Sequence, residues 1–173
     1  MASIGLFYTS ETGNTRKIAK LIAREHFDAD VVALHPFERA SAEDVMGYDA
    51  LIFGVPTVGD GEYPETLQDF LPELDQVDFS GKRVALFGLG DQVGYPMEFV
   101  DALGMLYEHL EGLGAQLLGH WPTDGYEFDF SKADIGDGCF CGLVLDQDNQ
   151  PDETPQRLAK WLDGIRADLL GGG

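Results

Sequence analysis

Short, uninterrupted apolar runs alternate along this chain with stretches whose apolar positions recur every three or four residues. A run without polar positions marks a strand buried on both faces, and the longer period marks a helix with one buried stripe. The runs predict strands at residues 4–8, 30–34, 50–55 and 83–88, with a fifth in two pieces at 115–119 and 142–145. Helices are predicted at 15–27, 41–46, 64–74, 97–113 and 154–169. Pro64 suits a first helical turn, and Thr154-Pro155 reads as an N-cap followed by proline at the first helical position. The Asp-, Glu- and Gly-rich stretch 120–138 has no period and reads as an insertion within the fifth strand. Strict alternation of strand and helix predicts an α/β fold: a doubly wound, five-stranded parallel sheet with helices on both faces, a three-layer sandwich. No repeat or linker interrupts the 173 residues, so a single domain spanning 1–173 is expected, with Gly171-Gly172-Gly173 fraying.

Charge narrows the class. Asp and Glu number 31 against 11 Lys and Arg, a formal net charge of -20. Such a surface repels nucleic acid and anionic membrane and attracts basic proteins over long range. The start of the chain lacks the basic, then apolar, pattern of a secretion signal, and no apolar stretch approaches the ~20 residues of a membrane span. A cytoplasmic protein is expected. Cys139 and Cys141 lie two apart, which suits neither a disulfide framework nor a four-ligand zinc site. In a strand they would share one face as two small buried groups.

In a doubly wound sheet ligands bind beyond the carboxyl ends of the strands, near the switch in strand order. Three loops there carry chemistry. After the first strand comes Ser10-Glu11-Thr12-Gly13-Asn14-Thr15, leading into a helix. Backbone N–H groups at a helix N-terminus, three hydroxyls and a glycine form a nest for an anion. No lysine lies within it, so it is not the loop that cradles nucleoside triphosphates; a neutral nest suits one terminal phosphate. Alone, the segment fits an ordinary helix N-cap equally well. After the third strand comes Pro56-Thr57-Val58-Gly59-Asp60-Gly61-Glu62, and after the fourth Gly88-Leu89-Gly90-Asp91-Gln92-Val93-Gly94-Tyr95. A planar ligand between these two loops needs a face on each side, and Val58 and Tyr95 are the candidates.

Two competing readings fail on the residues. Gly88-Leu89-Gly90 begins like a dinucleotide fingerprint, but Val93 stands where the third glycine belongs and the motif follows the fourth strand. A phosphorylated receiver domain needs an acidic pair after the first strand and a phospho-acceptor Asp after the third; this chain has Thr9-Ser10 and Pro56-Thr57. His26, His35, His109 and His120 lie outside the three loops and form no catalytic or metal-ligand spacing.

The three loops together resemble those of the flavodoxins. Residues 10–15 match the Thr/Ser-x-Thr-Gly-x-Thr phosphate loop, residues 56–62 the first flavin loop and residues 90–95 the second. The likeness continues through Trp121-Pro122-Thr123-Asp124-Gly125-Tyr126-Glu127-Phe128 and residues 142–150, stretches typical of the long-chain group, whose fifth strand is interrupted. The chain is most similar to the flavodoxins of nitrogen-fixing bacteria, which share an aliphatic residue at the position of Val58. The resemblance implies strand order 2-1-3-4-5 and a one-electron carrier that binds FMN and moves between semiquinone and hydroquinone. Residues 10–15 would hold the phosphate. Pro56, Thr57, Val58, Gly59, Asp60 and Gly61 would flank the inner face of the flavin, where many relatives have Trp instead of Val58. Tyr95 would stack on the outer face, with Leu89, Gly90 and Asp91 at the ring edge, and the Gly59-Asp60 peptide would turn as the flavin gains its first electron. The expected partners are redox proteins with basic patches: a flavodoxin reductase, a pyruvate oxidoreductase and, for nitrogen fixation, nitrogenase reductase. The carrier would be a monomer. The alternative within the fold is an FMN-dependent quinone reductase, which needs a substrate pocket over the flavin.

Overall fold

The computed structural model of the chain describes residues 3–9, 13–58 and 61–171. Its sheet comprises β1 (Ile4–Tyr8), β2 (Val32–Pro36), β3 (Ala50–Pro56), β4 (Arg83–Leu89), β5 (Gln116–Leu118) and β9 (Leu143–Leu145). All neighbours are parallel, in the order β2-β1-β3-β4-β5. The fifth position is split as expected. β5 pairs with the first residues of β4, Arg83 to Ala85, and β9 pairs with the last, Phe87 to Leu89.

The connections are α1 (Gly13–Glu25), α2 (Ala42–Met46), α3 (Glu65–Leu74) and α4 (Asp101–Gly112), and α5 (Thr154–Leu169) closes the chain. From β1 the path steps outward to β2, then returns past β1 to β3, β4 and β5. Right-handed crossovers therefore place α1 on one face and α2, α3 and α4 on the other. α5 lies beside α1, its Arg166 donating to the His26 carbonyl. β1 and β3 are buried throughout, with Phe7, Phe53, Phe87 and Ile52 among the largest enclosed side chains. β2 is half-buried along its length, as an edge strand should be, and it lies two residues later than the apolar run alone predicts.

α2 and α3 start one residue later than the sequence reading, with Ser41 and Pro64 as N-caps outside the helix, and the larger differences lie at the other three helices. α1 begins at Gly13 and ends at Glu25, two residues earlier at each end. Thr154 is not an N-cap: a turn of 3-10 helix at Pro151–Glu153 runs into α5, and the Thr154 hydroxyl donates to the Gln147 side chain. α4 starts at Asp101, not at 97, because the buried Val100 adopts φ 48°, ψ 36°. A β-branched residue in the left-handed region costs about 1–3 kcal/mol and persists only where its surroundings over-determine it. Here Thr57 Oγ1 accepts from the Ala102 N–H at 3.0 Å and Asp101 Oδ1 accepts from the Lys132 N–H at 2.8 Å. The Ser131 hydroxyl donates to the Phe99 carbonyl.

The insertion has order that its sequence does not advertise. β6 (Trp121–Pro122), β8 (Cys139–Phe140) and β7 (Asp134–Gly136) form a small antiparallel sheet. With two or three residues per strand there is no room for an apolar period to show. Aromatic packing joins it to the core: Phe140 meets Phe99, Tyr126 and Phe128 at centroid distances of 6.1, 5.3 and 5.3 Å. The insertion also lies tight on α4, where a Cβ on Gly104 would fall 2.2 Å from the Lys132 carbonyl. Cys139 and Cys141 do not share a buried strand face. Cys139 is half-buried in β8, whereas Cys141 lies beyond its end, fully buried with its thiol directed at the Leu103 carbonyl. Burial pushes the Cys141 thiol up to about 12, so it stays protonated and inert.

The loops beyond β4 and β9 are joined by one buried carboxylate, Asp146. Its Oδ2 accepts from the Gln92 N–H at 3.1 Å, Gln92 Nε2 at 2.7 Å and Asn149 Nδ2 at 2.9 Å. Its Oδ1 accepts from the N–H groups of Asp148 and Asn149. Gln92 extends the network, donating to Gln150 Oε1 and accepting from the Glu127 N–H of the insertion. Replacing Asp146 with alanine strands these donors in a buried site, and each orphaned donor costs roughly 1–3 kcal/mol. Asp146→Ala is expected to lower stability by about 3 kcal/mol in urea unfolding; a loss below ~0.5 kcal/mol would show that the network carries no weight.

Candidate functional site

The last residues of β1, β3, β4 and β9 lie along one edge of the sheet, since Tyr8 pairs with Gly54, Pro56 with Leu89, and Leu89 with Leu145. Connections leave β1 and β3 toward opposite faces, which opens a crevice at that edge. A cavity of about 190 Å³ occupies it. Pro56 and Thr57 line it from β3, Leu89, Gly90, Asp91 and Tyr95 from β4, and Asn14 from the first turn of α1. Seven of the sixteen residues singled out in the sequence thus meet around one space.

The remainder divide cleanly. Gly13 and Thr15 belong to the first turn of α1, Gly13 with open space at its Cα and Thr15 buried. Ser10, Glu11, Thr12, Gly59 and Asp60 lie outside the described residues. Val58 does not line the cavity; its backbone exchanges hydrogen bonds with Glu62 at 3.0 and 2.8 Å, closing a tight turn. Gly61, within that turn, has φ 91°, a conformation that side chains resist.

The β4 loop is built by its own aspartate. Asp91 Oδ1 accepts from the Val93 and Gly94 N–H groups at 3.1 and 2.8 Å, and from Asn149 Nδ2 at 2.7 Å. These donors, the Gly94 N–H foremost, hold the Asp91 carboxyl below its usual range. The folded loop then presents the Tyr95 ring, 45% exposed, at the cavity mouth. An aromatic ring left this open beside a crevice offers a flat apolar face to a flat partner.

Two cavity residues were not foreseen: Gln147 and Asp148, on the turn after β9. The signal was present, because that turn follows the fifth strand at the same sheet edge, where ligands bind. Burial, with the charges of Asp91 and Asp146 close by, raises the Asp148 carboxyl above its usual range. Among the described residues, no Lys, Arg or His side chain lines the cavity. A roomier neighbouring cavity, about 660 Å³, lies behind the same loop against Gln92, Val93 and Tyr126. The Tyr126 ring is already covered by Arg157, 4.2 Å from its centroid, so it offers no free face on that side.

The histidines stand apart from the crevice. His35 bonds Tyr48 at 2.8 Å, His109 pairs with Asp75 at 2.7 Å, and His120 packs edge-on against Tyr107. His26 lies near the Arg166 end of α5. Among the described residues no cluster of His, Cys, Asp and Glu is placed to hold a metal ion.

These features have close counterparts in known proteins. Residues 6–161 match the family model described as Flavodoxin. Flavodoxin 1 of Salmonella typhimurium is 46% identical over 169 residues, covering 98% of this chain and 96% of that protein. The flavodoxin of Synechocystis is 47% identical over 166 residues, covering 96% and 97%. Among solved structures, the Fusobacterium nucleatum flavodoxin bound to flavin mononucleotide superposes with a TM-score of 0.89 at 30% identity, covering 98% of this chain and 99% of that one. The chain belongs to the flavodoxin family of FMN-binding electron carriers.

Proposed function

We propose that this chain, acting as one domain over residues 1–173, is a low-potential carrier that cycles bound FMN between its one-electron and two-electron reduced forms. The observation that carries the reading is the crevice itself: an open aromatic face and, among the described residues, two carboxylates at the rim and no basic side chain. FMN supplies the one-electron chemistry, and the protein sets how readily the electron leaves.

The donor set fits that cofactor. The start of α1, a 13-residue helix, offers backbone N–H groups to a phosphate, and Ser10, Glu11, Thr12, Gly13, Asn14 and Thr15 would form the nest. Tyr95 would cover the outer face of the ring, Pro56, Thr57, Val58, Gly59, Asp60 and Gly61 would flank the inner one, and Leu89, Gly90 and Asp91 would meet its edge. Gln147 and Asp148 join the rim. A nest of N–H and hydroxyl groups binds phosphate without placing a positive charge within the loop.

The acidic rim then acts against any added negative charge. A carboxylate at ~10 Å, with an effective dielectric of ~20–80, opposes a new negative charge by roughly 0.4–1.7 kcal/mol. Asp91 is held ionised by its hydrogen bonds and therefore contributes at neutral pH. A few such groups lower a one-electron potential by on the order of a hundred millivolts. The same charges select the partners: proteins with basic docking patches, such as a flavodoxin reductase or a pyruvate oxidoreductase, with nitrogenase reductase as the acceptor in nitrogen fixation. With a net charge of -20, copies of the chain repel one another, which favours a monomer. Among the described residues no helix is long and apolar enough to cross a membrane, in keeping with a cytoplasmic carrier.

Three measurements test this. Equilibrium redox titration is expected to place the more negative FMN couple about 100 mV or more below that of free FMN, and a value equal to free FMN would reject the acidic-rim account. Tyr95→Ala is expected to weaken FMN binding about tenfold, as read by flavin fluorescence, since aromatic stacking contributes about 0.5–1.5 kcal/mol beyond buried area; unchanged affinity would remove Tyr95 from the site. Electron delivery to nitrogenase reductase, compared with a flavodoxin reductase, is expected to slow as ionic strength rises. A rate indifferent to salt would exclude steering by the acidic surface.

A further inference from the structure

The outer edge of β2 is open. Among the described residues β2 pairs with β1 alone, and Ile4 donates to the Val31 carbonyl, so Val31, Ala33 and His35 turn their backbone groups inward. Val32 and Leu34, between them, direct N–H and C=O away from the sheet. No group of the described residues bonds them there. A groove of about 400 Å³ runs along this edge, with Val32 and Leu34 on the strand, Ala23 and Arg24 on α1, and Ala29 and Asp30 on the connection between. Sheets usually blunt such an edge with charge, proline or a covering element. Here Pro36 closes the far end and Asp30, at φ 68°, bends the chain before the near one, while Val31 to Leu34 carry no charge.

The helix beside the groove runs against the charge of the chain. Of 11 Lys and Arg, set against 31 Asp and Glu, four lie in α1: Arg16, Lys17, Lys20 and Arg24. Lys20 lies three and four positions before Ala23 and Arg24, and Arg16 four before Lys20, so Arg16, Lys20 and Arg24 form one row along the groove. Glu25, the acidic residue of α1, turns the other way, toward Arg166 of α5. Among the described residues Lys20 and Arg24 have no hydrogen-bond or ion-pair partner. Asp30 is the one acid lining the groove. The net charge of -20 repels acidic proteins from afar, but with a Debye length of ~8 Å in physiological salt the local row governs close contact. Spacing adds a geometric match. Lys20 and Arg24 are ~6 Å apart along the helix axis, and side chains two positions apart on a strand are ~6.6 Å apart.

We propose that the free edge of β2 and the basic row of α1 form a docking groove for a short, extended, acidic segment of a partner protein, added as a further strand. Backbone bonds to Val32 and Leu34 hold the segment, and carboxylates at alternate positions meet Lys20 and Arg24. Arg24 lies ~15 Å of helix beyond Asn14, which lines the crevice, so the bound segment leaves the crevice open. The groove is independent of what the crevice binds. A second copy of the chain fits it less well, since edge-to-edge pairing about a two-fold axis would bring two basic rows together.

A synthetic heptapeptide of alternating Glu and Val, titrated into the isotope-labelled full chain, tests this. The amide resonances of Val32 and Leu34 are expected to shift and their exchange with solvent to slow, saturating below about 1 mM peptide and weakening as salt rises. A heptapeptide of alternating Lys and Val is expected to leave them unmoved. Lys20→Glu combined with Arg24→Glu is expected to weaken binding about tenfold, because two attractions become repulsions. Val32→Pro removes an outward N–H, spares the pairing with β1, and is expected to abolish the protection at Leu34. The charge variants lie on the surface of α1 and keep the test decisive should Val32→Pro fail to fold. No shift at about 1 mM, shifts confined to other elements, equal binding of the Lys peptide, or an affinity untouched by the charge reversal would each overturn the proposal. A dimer in sedimentation that Val32→Pro dissolves would overturn it too, by making a second copy the occupant.

Discussion

Burying a carboxylate is expensive unless nearly every lone pair finds a donor, and the crevice of this protein depends on one such group. Asp146 has no exposure, and its two oxygens collect the N–H groups of Gln92, Asp148 and Asn149 together with the amides of Gln92 and Asn149. All of those donors come from the two loops that extend β4 and β9. Because β4 and β9 are themselves paired up to Leu89 and Leu145, the carboxylate continues the sheet where the backbone ladder stops. Asn149 then passes the constraint on to Asp91, and Asp91 folds the turn that presents Tyr95. A chain of hydrogen bonds thus runs from the core to the exposed aromatic ring. The ring can lie open to solvent and still be fixed in place, as a partner that binds by stacking requires.

The same arrangement concentrates negative charge at the crevice while keeping it structurally satisfied. Its donors hold the Asp91 carboxyl below the usual range, whereas burial, with the charges of Asp91 and Asp146 close by, raises that of Asp148. The two acidic side chains on one rim are therefore pulled in opposite directions, one by hydrogen bonding and the other chiefly by burial. The carboxylate that folds the β4 loop also places the charge at the crevice, so neither can be altered without the other.

How much of this could be read from the sequence depended on how local each cause was. The buried strands were legible because β1, β3 and β4 have no polar side chain across their central positions, and the split fifth strand was legible for the same reason. Asn14, Pro56, Thr57, Leu89, Gly90, Asp91 and Tyr95 were found because a doubly wound sheet brings its strand ends together. What escaped was set by contacts distant in sequence. β2 shifts by two residues because pairing with β1, from Ile4 opposite Val32 onward, decides its register. Thr154 looked like a cap, but its hydroxyl is drawn to Gln147. α4 starts late because Thr57 and Lys132, 45 and 31 residues from their partners, lock Ala102 and Asp101. The short strands of the insertion carry too few residues for a pattern, and aromatic contacts with Phe99 and Tyr126 organise them instead.

The two ligand loops are braced in different ways, and that difference has a functional logic. The β4 loop is tied through a buried side-chain network and through Gln92 to the insertion, so it behaves as an extension of the core. The β3 loop is held at its margins: Thr57 N–H to the Leu89 carbonyl, Thr57 Oγ1 to α4, and the Val58–Glu62 pair across the turn. Both sets of ties converge on α4, whose strained entry at Val100 is kept in place by Thr57 on one side and by Lys132 of the insertion on the other. Side-chain hydrogen bonds brace the wall that carries Tyr95, whereas the opposite wall is tied at Thr57 and across the Val58–Glu62 pair. The insertion, seemingly remote from the crevice, is then part of its construction, since it supports both loops through Glu127 and Lys132.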